Sequence, residues 1–489
     1  MTGHNGIHVV FNSFEFLVFF VAVFWIYWFG LNANLKLQNA LLLFASYAFY
    51  AWWDWRFLAL LVGASAFTFG CAIVVERAVL DSTKRVLFII GVAVILGILV
   101  WFKYFNFFVV GFEGLLAFLG IGTNTILIKV VLPLGVSYYV FRKLGYLIEV
   151  NRGNIEADRD WIVVFTFIAF FPTLVSGPID RANTFIPQLR SKRVFQYDLA
   201  VDGLRQILWG LFKKVVIADG CAPITELIFS NSDRYSGSTL LLGSFLFTIQ
   251  VYADFSGYSD MAIGVGRLLG FTVAKNFDFP FFAQSIPDFW RRWHMSLTKW
   301  LTDYLFTPLT IALRDFGKVG IAVSILITMV IVGLWHGANW TFVAFGFTYG
   351  LMYIPGVLTG SFNRRKRVSG LVPSVRQALE MLFTFSVLVL MIVLFRSVDI
   401  SQAIQIYRQI FSFTIFSNPI SFNGLGVMRL SVVIVIFLFI EWIQCDRAHG
   451  LDLSGVKSER LRIVFYYVLI MAMIYLGEFG ESKFLYFKF

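Results

Sequence analysis

Between Val319 and Trp335 the chain runs without a single charge. At about 1.5 Å of rise per residue, a helix of that length crosses most of a bilayer core. In lipid every backbone N–H and C=O must be satisfied internally, which leaves helices and closed barrels as the spanning structures. Barrel strands would alternate apolar and polar residues, whereas the runs here are continuous, so an all-α integral membrane protein is expected. The run closes on Leu334-Trp335-His336-Gly337-Ala338-Asn339-Trp340, which sets an imidazole where a membrane helix stops. Imidazole takes and returns a proton near neutral pH, and ionisable residues at membrane depth point first to function. The plainer alternative is an interfacial histidine flanked by tryptophans that favour the same zone.

Composition agrees with a membrane chain. Of 489 residues 58% are hydrophobic and 14% charged, which excludes an ordinary soluble domain. The net charge of +11 lies in short loops between apolar runs rather than on one soluble face, so topology explains it better than nucleic-acid binding. Cys71, Cys221 and Cys445 show neither disulfide nor metal spacing, and no metal is expected. The first run follows a stretch, Met1 to Gly6, without Lys or Arg and reads as a retained helix rather than a signal peptide.

Apolar runs fall near 14–30, 38–53, 57–75, 86–102, 104–120, 126–141, 161–176, 203–220, 239–270, 319–336, 338–359, 378–396, 430–444 and 462–478. Some are short or broken, as 161–176 is by Pro172, so about 11 to 13 spans with re-entrant and interfacial pieces are expected. Arg364, Arg365, Lys366 and Arg367 mark a cytoplasmic loop. Counting from there puts 291–318 inside, His336 toward the outer side and the tail from Gly477 outside. No internal repeat is evident, and 1–489 is read as one domain.

Two further stretches carry candidates. Ser285-Ile286-Pro287-Asp288 is a helix-start signal. Phe289, Trp293, Leu297, Trp300 and Leu301 then recur at helical spacing with Arg291, Arg292 and Lys299 elsewhere, which predicts an amphipathic helix at the cytoplasmic interface. That helix is either a basic anchor to anionic lipid or a platform for a phosphate-bearing partner, with His294 turned inward. Asp254 and Asp260 sit within an apolar segment, where each carboxylate costs a few kcal/mol unless paired or solvated. They are either ion-coupling groups of a transporter or struts that orient a histidine.

Leu132-Pro133-Leu134-Gly135-Val136-Ser137-Tyr138, Phe171-Pro172 through Ser176-Gly177-Pro178-Ile179, Gly210 to Asp219, Asp254 to Asp260, Phe289 to Tyr304, and Leu334 to Ala338 together resemble the ordered motifs of bacterial membrane-bound O-acyltransferases. The core motifs occupy about 130–350, and the likeness runs through nearly the whole chain. It is nearest to the alginate- and peptidoglycan-acetylating members and more distant from the D-alanyl transferases of teichoic acid. The resemblance implies a multi-pass helical core around a central tunnel, in which a cytoplasmic acyl thioester meets an acceptor from outside. It implies His336 at the reaction centre and His294 as the second family histidine. Trp335, Asn339, Asp254 and Asp260 are plausible orienting or substrate-binding groups, and Arg291 and Arg292 are candidates for donor phosphates. Phe141-Arg142-Lys143 and Lys299 depart from the family pattern and leave open a different loop environment or donor contact.

The tail 478–489 ends in Phe484-Leu485-Tyr486-Phe487-Lys488-Phe489. Composition alone reads it as an aromatic interfacial belt. It is also similar to the endings of alginate-acetylating members and of the small partner peptide of the D-alanylation system, in which the tyrosine is an acyl relay, and that likeness would make Tyr486 catalytic. The expectation is an enzyme of the bacterial inner membrane that moves an acyl group, taken to be acetyl, toward an envelope or exported polysaccharide. Its co-substrate would be a thioester such as acetyl-CoA, with no permanently bound cofactor, and its partner an extracytoplasmic acetyltransferase. A transporter or flippase of acyl groups or glycans, and a noncatalytic scaffold, are the alternatives.

Overall fold

A computed structural model describes residues 11–121, 130–360, 362, 372–419, 424–479 and 484–485. Among them the chain is helical, without strands. Six helical stretches are long and apolar enough to cross a membrane: Leu35–Arg77, Asp81–Phe118, Gly237–Leu268, Arg314–His336, Trp340–Leu358 and Val375–Arg396. The arginines at 364, 365 and 367 and Lys366 lie outside the described residues. The helices cluster in two compact units, one ending at Gly203 but taking in Val265–Ala274, the other formed by Leu204–Gly264 and the chain from Lys275.

The first unit contains α1 (Phe14–Trp25), α2 (Leu35–Arg77), α3 (Asp81–Leu99), α4 (Phe105–Phe118), α5 (Val136–Asn151), α6 (Trp161–Ala169), α7 (Phe171–Leu174) and α8 (Ala182–Arg190). The runs 38–53 and 57–75 merge in α2, which kinks at Asp54, where the backbone turns extended. The Asp54 carboxylate holds that kink by accepting the Arg56 N–H at 2.9 Å. Of the expected run at 126–141, residues 126–129 lie outside the described residues; α5 begins at Val136 and carries Arg142, Lys143 and Glu149, all buried. Arg142 donates to the carbonyls of Ile168 at 3.2 Å, Thr173 at 3.1 Å and Pro178 at 3.2 Å. Arg142, within the departure at 141–143, is thus a buried strut that gathers carbonyls on both sides of the break between α6 and α7.

The second unit takes α9 (Tyr197–Phe212) from Leu204 on, then α10 (Asp219–Ser230), α11 (Gly237–Leu268) as far as Gly264, α12 (Ile286–Arg292), α13 (Met295–Leu301) and α14 (Thr307–Ala312). It continues with α15 (Gly317–His336), α16 (Trp340–Leu358), α17 (Val375–Arg396), α18 (Ile400–Ile410), α19 (Gly424–Ile443) and α20 (Glu459–Leu476). Two close helix approaches position the site. In the first, a Cβ on Gly333 of α15 would run into the carbonyl oxygen of Phe342 in α16, so only glycine lets these backbones meet. In the second, Gly257 of α11 faces Gly210 of α9, and a Cβ on Gly257 would stand 2.8 Å from the Gly210 carbonyl oxygen. Between α9 and α10 the segment Lys213–Ala218 is wound as a π-helix, a feature frequent at functional sites.

Candidate active site

His336 is the last residue of α15 and is 5% exposed. The next residue, Gly337, leaves the helix in extended backbone, and Asn339 caps α16 by accepting the Thr341 N–H at 3.1 Å. The Asn339 amide donates to the Val398 carbonyl at 2.6 Å, so its hydrogen bonds serve the α15–α16 turn. The imidazole of His336 is ringed by aromatics, with Trp335 at 5.0 Å between centroids and Phe395 at 5.1 Å. It lines a narrow cavity together with Thr248, Trp290, Trp293, Tyr349 and Phe395. The lining is predominantly apolar, as sites for small ligands are, with a few polar groups to fix orientation.

His294 lies beside it. The expected single helix across 286–301 is instead two short helices, α12 and α13, broken at His294, whose φ/ψ of 44°, 51° is left-handed. A non-glycine residue held there is strained and persists only where neighbours over-determine it. Asn276 supplies that restraint. Its carbonyl accepts the Met295 N–H at 2.9 Å, its Oδ1 accepts from Ser296 Oγ at 2.9 Å, and its Nδ2 donates to Ser259 Oγ at 3.1 Å. The break turns the His294 ring against Phe255 at 4.7 Å and Trp335 at 5.3 Å. Burial in these apolar surroundings pushes its pKa down to about 3, so the imidazole is held neutral.

Phe289, Trp293, Leu297, Trp300 and Leu301, the apolar side chains of this stretch, are all buried. Ser285 does start α12, accepting the Asp288 N–H at 3.3 Å. Arg292 pairs with Asp288 at 3.1 Å, and Arg291 donates to the Phe362 carbonyl at 2.9 Å. These contacts are local, made by the guanidinium groups to their own helix and a neighbouring loop.

Asp254 and Asp260 bind lysines, not histidines. Lys214 Nζ donates to Asp254 Oδ1 and to Asp219 Oδ1, each at 2.8 Å. Lys213 Nζ stands 2.5 Å from Asp260 Oδ2 and donates to Ser256 Oγ at 2.8 Å, while Gln206 donates to Asp260 at 2.7 Å. Residues six apart on α11 point about 120° apart, which matches two consecutive lysines on the facing π turn. Each carboxylate thereby obtains the partner that burial demands, which removes the main support for reading them as free ion-coupling groups. Close by, Tyr252 Oη donates to Glu441, in a polar cavity also lined by Lys213, Asp260 and Asn276.

Sequence reading passed over Lys213, Lys214, Asn276 and Glu441 as site residues. Two lysines inside an apolar run were the available signal, because they had to be matched by carboxylates at similar depth. Tyr486 lies outside the described residues, although Phe484 and Leu485 before it are described.

The family model of the membrane-bound O-acyltransferases matches residues 156–394, a span that holds Asp254, His294 and His336. The "Probable alginate O-acetylase AlgI" of Pseudomonas putida is 33% identical, with 98% of this chain and 100% of the relative covered. That of Azotobacter vinelandii is 36% identical over 92% of this chain and 88% of its own. A "Peptidoglycan O-acetyltransferase" of Helicobacter pylori is 28% identical over 86% and 82%. With a likeness of that extent and a buried histidine at the end of a membrane helix, the chain belongs to the membrane-bound O-acyltransferase family and is a multi-pass membrane acyltransferase.

Proposed function

We propose that this protein is an O-acetyltransferase of the bacterial inner membrane that moves an acetyl group from a cytoplasmic thioester, acetyl-CoA, toward an exported or cell-envelope polysaccharide. The observation that carries the reading is His336 in the wall of the narrow cavity, at the end of α15 and beside the Trp335–His294 pair. The substrate class rests on the relatives, whose names specify alginate and peptidoglycan. Transfer onward calls for an extracytoplasmic acetyltransferase as partner.

A hydroxyl is a poor nucleophile near pH 7, so a neutral imidazole within reach removes its proton as it attacks the thioester carbonyl. In the relay version the acceptor is the phenol of Tyr486. The phenol oxygen bonds the acetyl carbon, the C–S bond breaks, and the proton held by His336 passes to the departing thiolate. The aryl ester then gives its acetyl group to a polymer hydroxyl and regains the phenol proton. A phenol, with a pKa of about 10, leaves more readily than a sugar hydroxyl, which suits a carrier. His294, held neutral, supports the pocket from behind Trp335.

The test is incubation of the purified protein with radiolabelled acetyl-CoA, beside His336→Gln and Tyr486→Phe, followed by peptide mapping. Label on the tail peptide, absent from both variants, is expected. His336→Gln should slow transfer about a hundredfold to ten-thousandfold. A folded His336→Gln protein that transfers acetyl at the native rate would remove the histidine from the chemistry.

A further inference from the structure

Phe484 and Leu485 are buried inside the second unit, at 1% and 8% exposure, where an aromatic belt would have left them at the membrane surface. The backbone N–H of Leu485 donates to Asp254 Oδ2 at 2.8 Å. The other oxygen of that carboxylate accepts from Lys214, which also bonds Asp219. The Lys214 ammonium stands 4.4 Å from the centroid of the Phe484 ring, and Tyr258 meets the same ring edge-on at 5.1 Å. Upstream, Glu478 donates its N–H to the carbonyl of Val215 at 2.9 Å. The tail is therefore tied to the π turn and its ion cluster at two places.

The chemistry of the cluster explains why a peptide binds there. Two carboxylates sharing one ammonium away from water need further donors. A backbone N–H aimed at a charged acceptor makes a stronger bond than one between neutral groups. An aromatic face over the ammonium adds attraction that grows as water is excluded. One N–H and one ring are thus recognised together, and adjacent residues Phe484 and Leu485 supply both.

We propose that Lys214, Asp254 and Asp219 form an internal receptor for the chain's own C-terminal segment, and that Asp254 is a positioning residue that fixes the backbone one residue before Tyr486. The ligand class is an aromatic peptide segment with a free backbone N–H. Only the last step, that docking serves acyl transfer, rests on the relay reading above.

Substituting Asp254 strands Lys214 and can prevent folding, so Leu485 carries the test. Proline there has no N–H to donate and leaves every buried charge in place, whereas alanine keeps the donor. Hydrogen exchange would be followed by mass spectrometry on the full-length protein in detergent, with polymer acetylation measured in cells. In Leu485→Pro the tail amides should exchange about tenfold to a hundredfold faster than in Leu485→Ala, which loses the same buried side chain but keeps the N–H, with acetylation falling alongside. Native protection in the proline variant overturns the receptor. Fast exchange with full acetylation keeps the receptor and shows that docking does not serve transfer, while Tyr486→Phe decides the relay, so the two readings fail separately.

Discussion

The indole of Trp335 lies 5.3 Å from the ring of His294, tilted 31° from its plane, and on its other contact lies 5.0 Å from His336. One aromatic side chain thus spaces the two histidines of the site, and the first prediction follows from it. Trp335→Ala should cost about 3–5 kcal/mol through the cavity it leaves and should depress acyl transfer, whereas Trp335→Phe retains a planar spacer and more of the activity. Melting temperature and initial rate measured on the same samples check this; an alanine variant matching the native protein in both would sink it.

His294 also makes stability depend on pH. Its pKa falls from 6.5 to about 3 on burial, so the stabilisation from keeping it neutral is complete above the unfolded value. It is lost as pH drops through the window between the two. Over pH 6.5 to 4.5 the loss amounts to about 2–3 kcal/mol. Thermal melts of the detergent-solubilised protein should show this decline, and His294→Gln should flatten it; an identical decline in both would assign the effect to other groups.

Lys213, buried, and Asp260, partly buried, should behave as a coupled pair. Removing one partner is expected to destabilise by about 3–5 kcal/mol, because the other charge stays behind, while the double change Lys213→Met with Asp260→Leu should recover part of that loss. A double-mutant cycle on stability measures the coupling. Simple additivity would mean that water, not the opposite charge, satisfies each group.

The α15–α16 approach gives the fourth prediction. Any side chain at Gly333 meets the Phe342 carbonyl, so Gly333→Val must push the helices apart, at a cost of about 1–3 kcal/mol, and carry His336 with α15. Because a misplacement of about 1 Å can cost a hundredfold in rate, transfer should fall further than stability does. A variant with a lower melting point and a native rate would show that α15 can shift without moving the imidazole.

Most of the helices were legible from apolar runs, since lipid forces each segment to satisfy its own backbone. Thus 319–336, 338–359 and 378–396 became α15, α16 and α17 within a few residues. The reading failed where periodicity was interrupted by tertiary contacts. The regular spacing of Phe289, Trp293, Leu297 and Trp300 implied one helix, yet Asn276, distant from His294 in sequence, clamps a left-handed residue into its middle. Past the run at 126–141, α5 buries Arg142 against carbonyls of α6 and of the segment after it, a pairing that no local pattern encodes.

The sequence by itself determined a helical membrane chain and the likeness to the acyltransferases, and it placed His336 at the end of an apolar run, because continuous apolar runs and ordered motifs are local properties. Only the tertiary structure decided which charges neutralise which. Asp254 and Asp260 could have served ions, histidines or lysines. The close approach of α9 and α11 at Gly210 and Gly257 and the π turn at Lys213–Ala218 brought two lysines to them. Pairing of buried charges is set by distances between segments far apart in the chain, and no residue pattern within one segment encodes it.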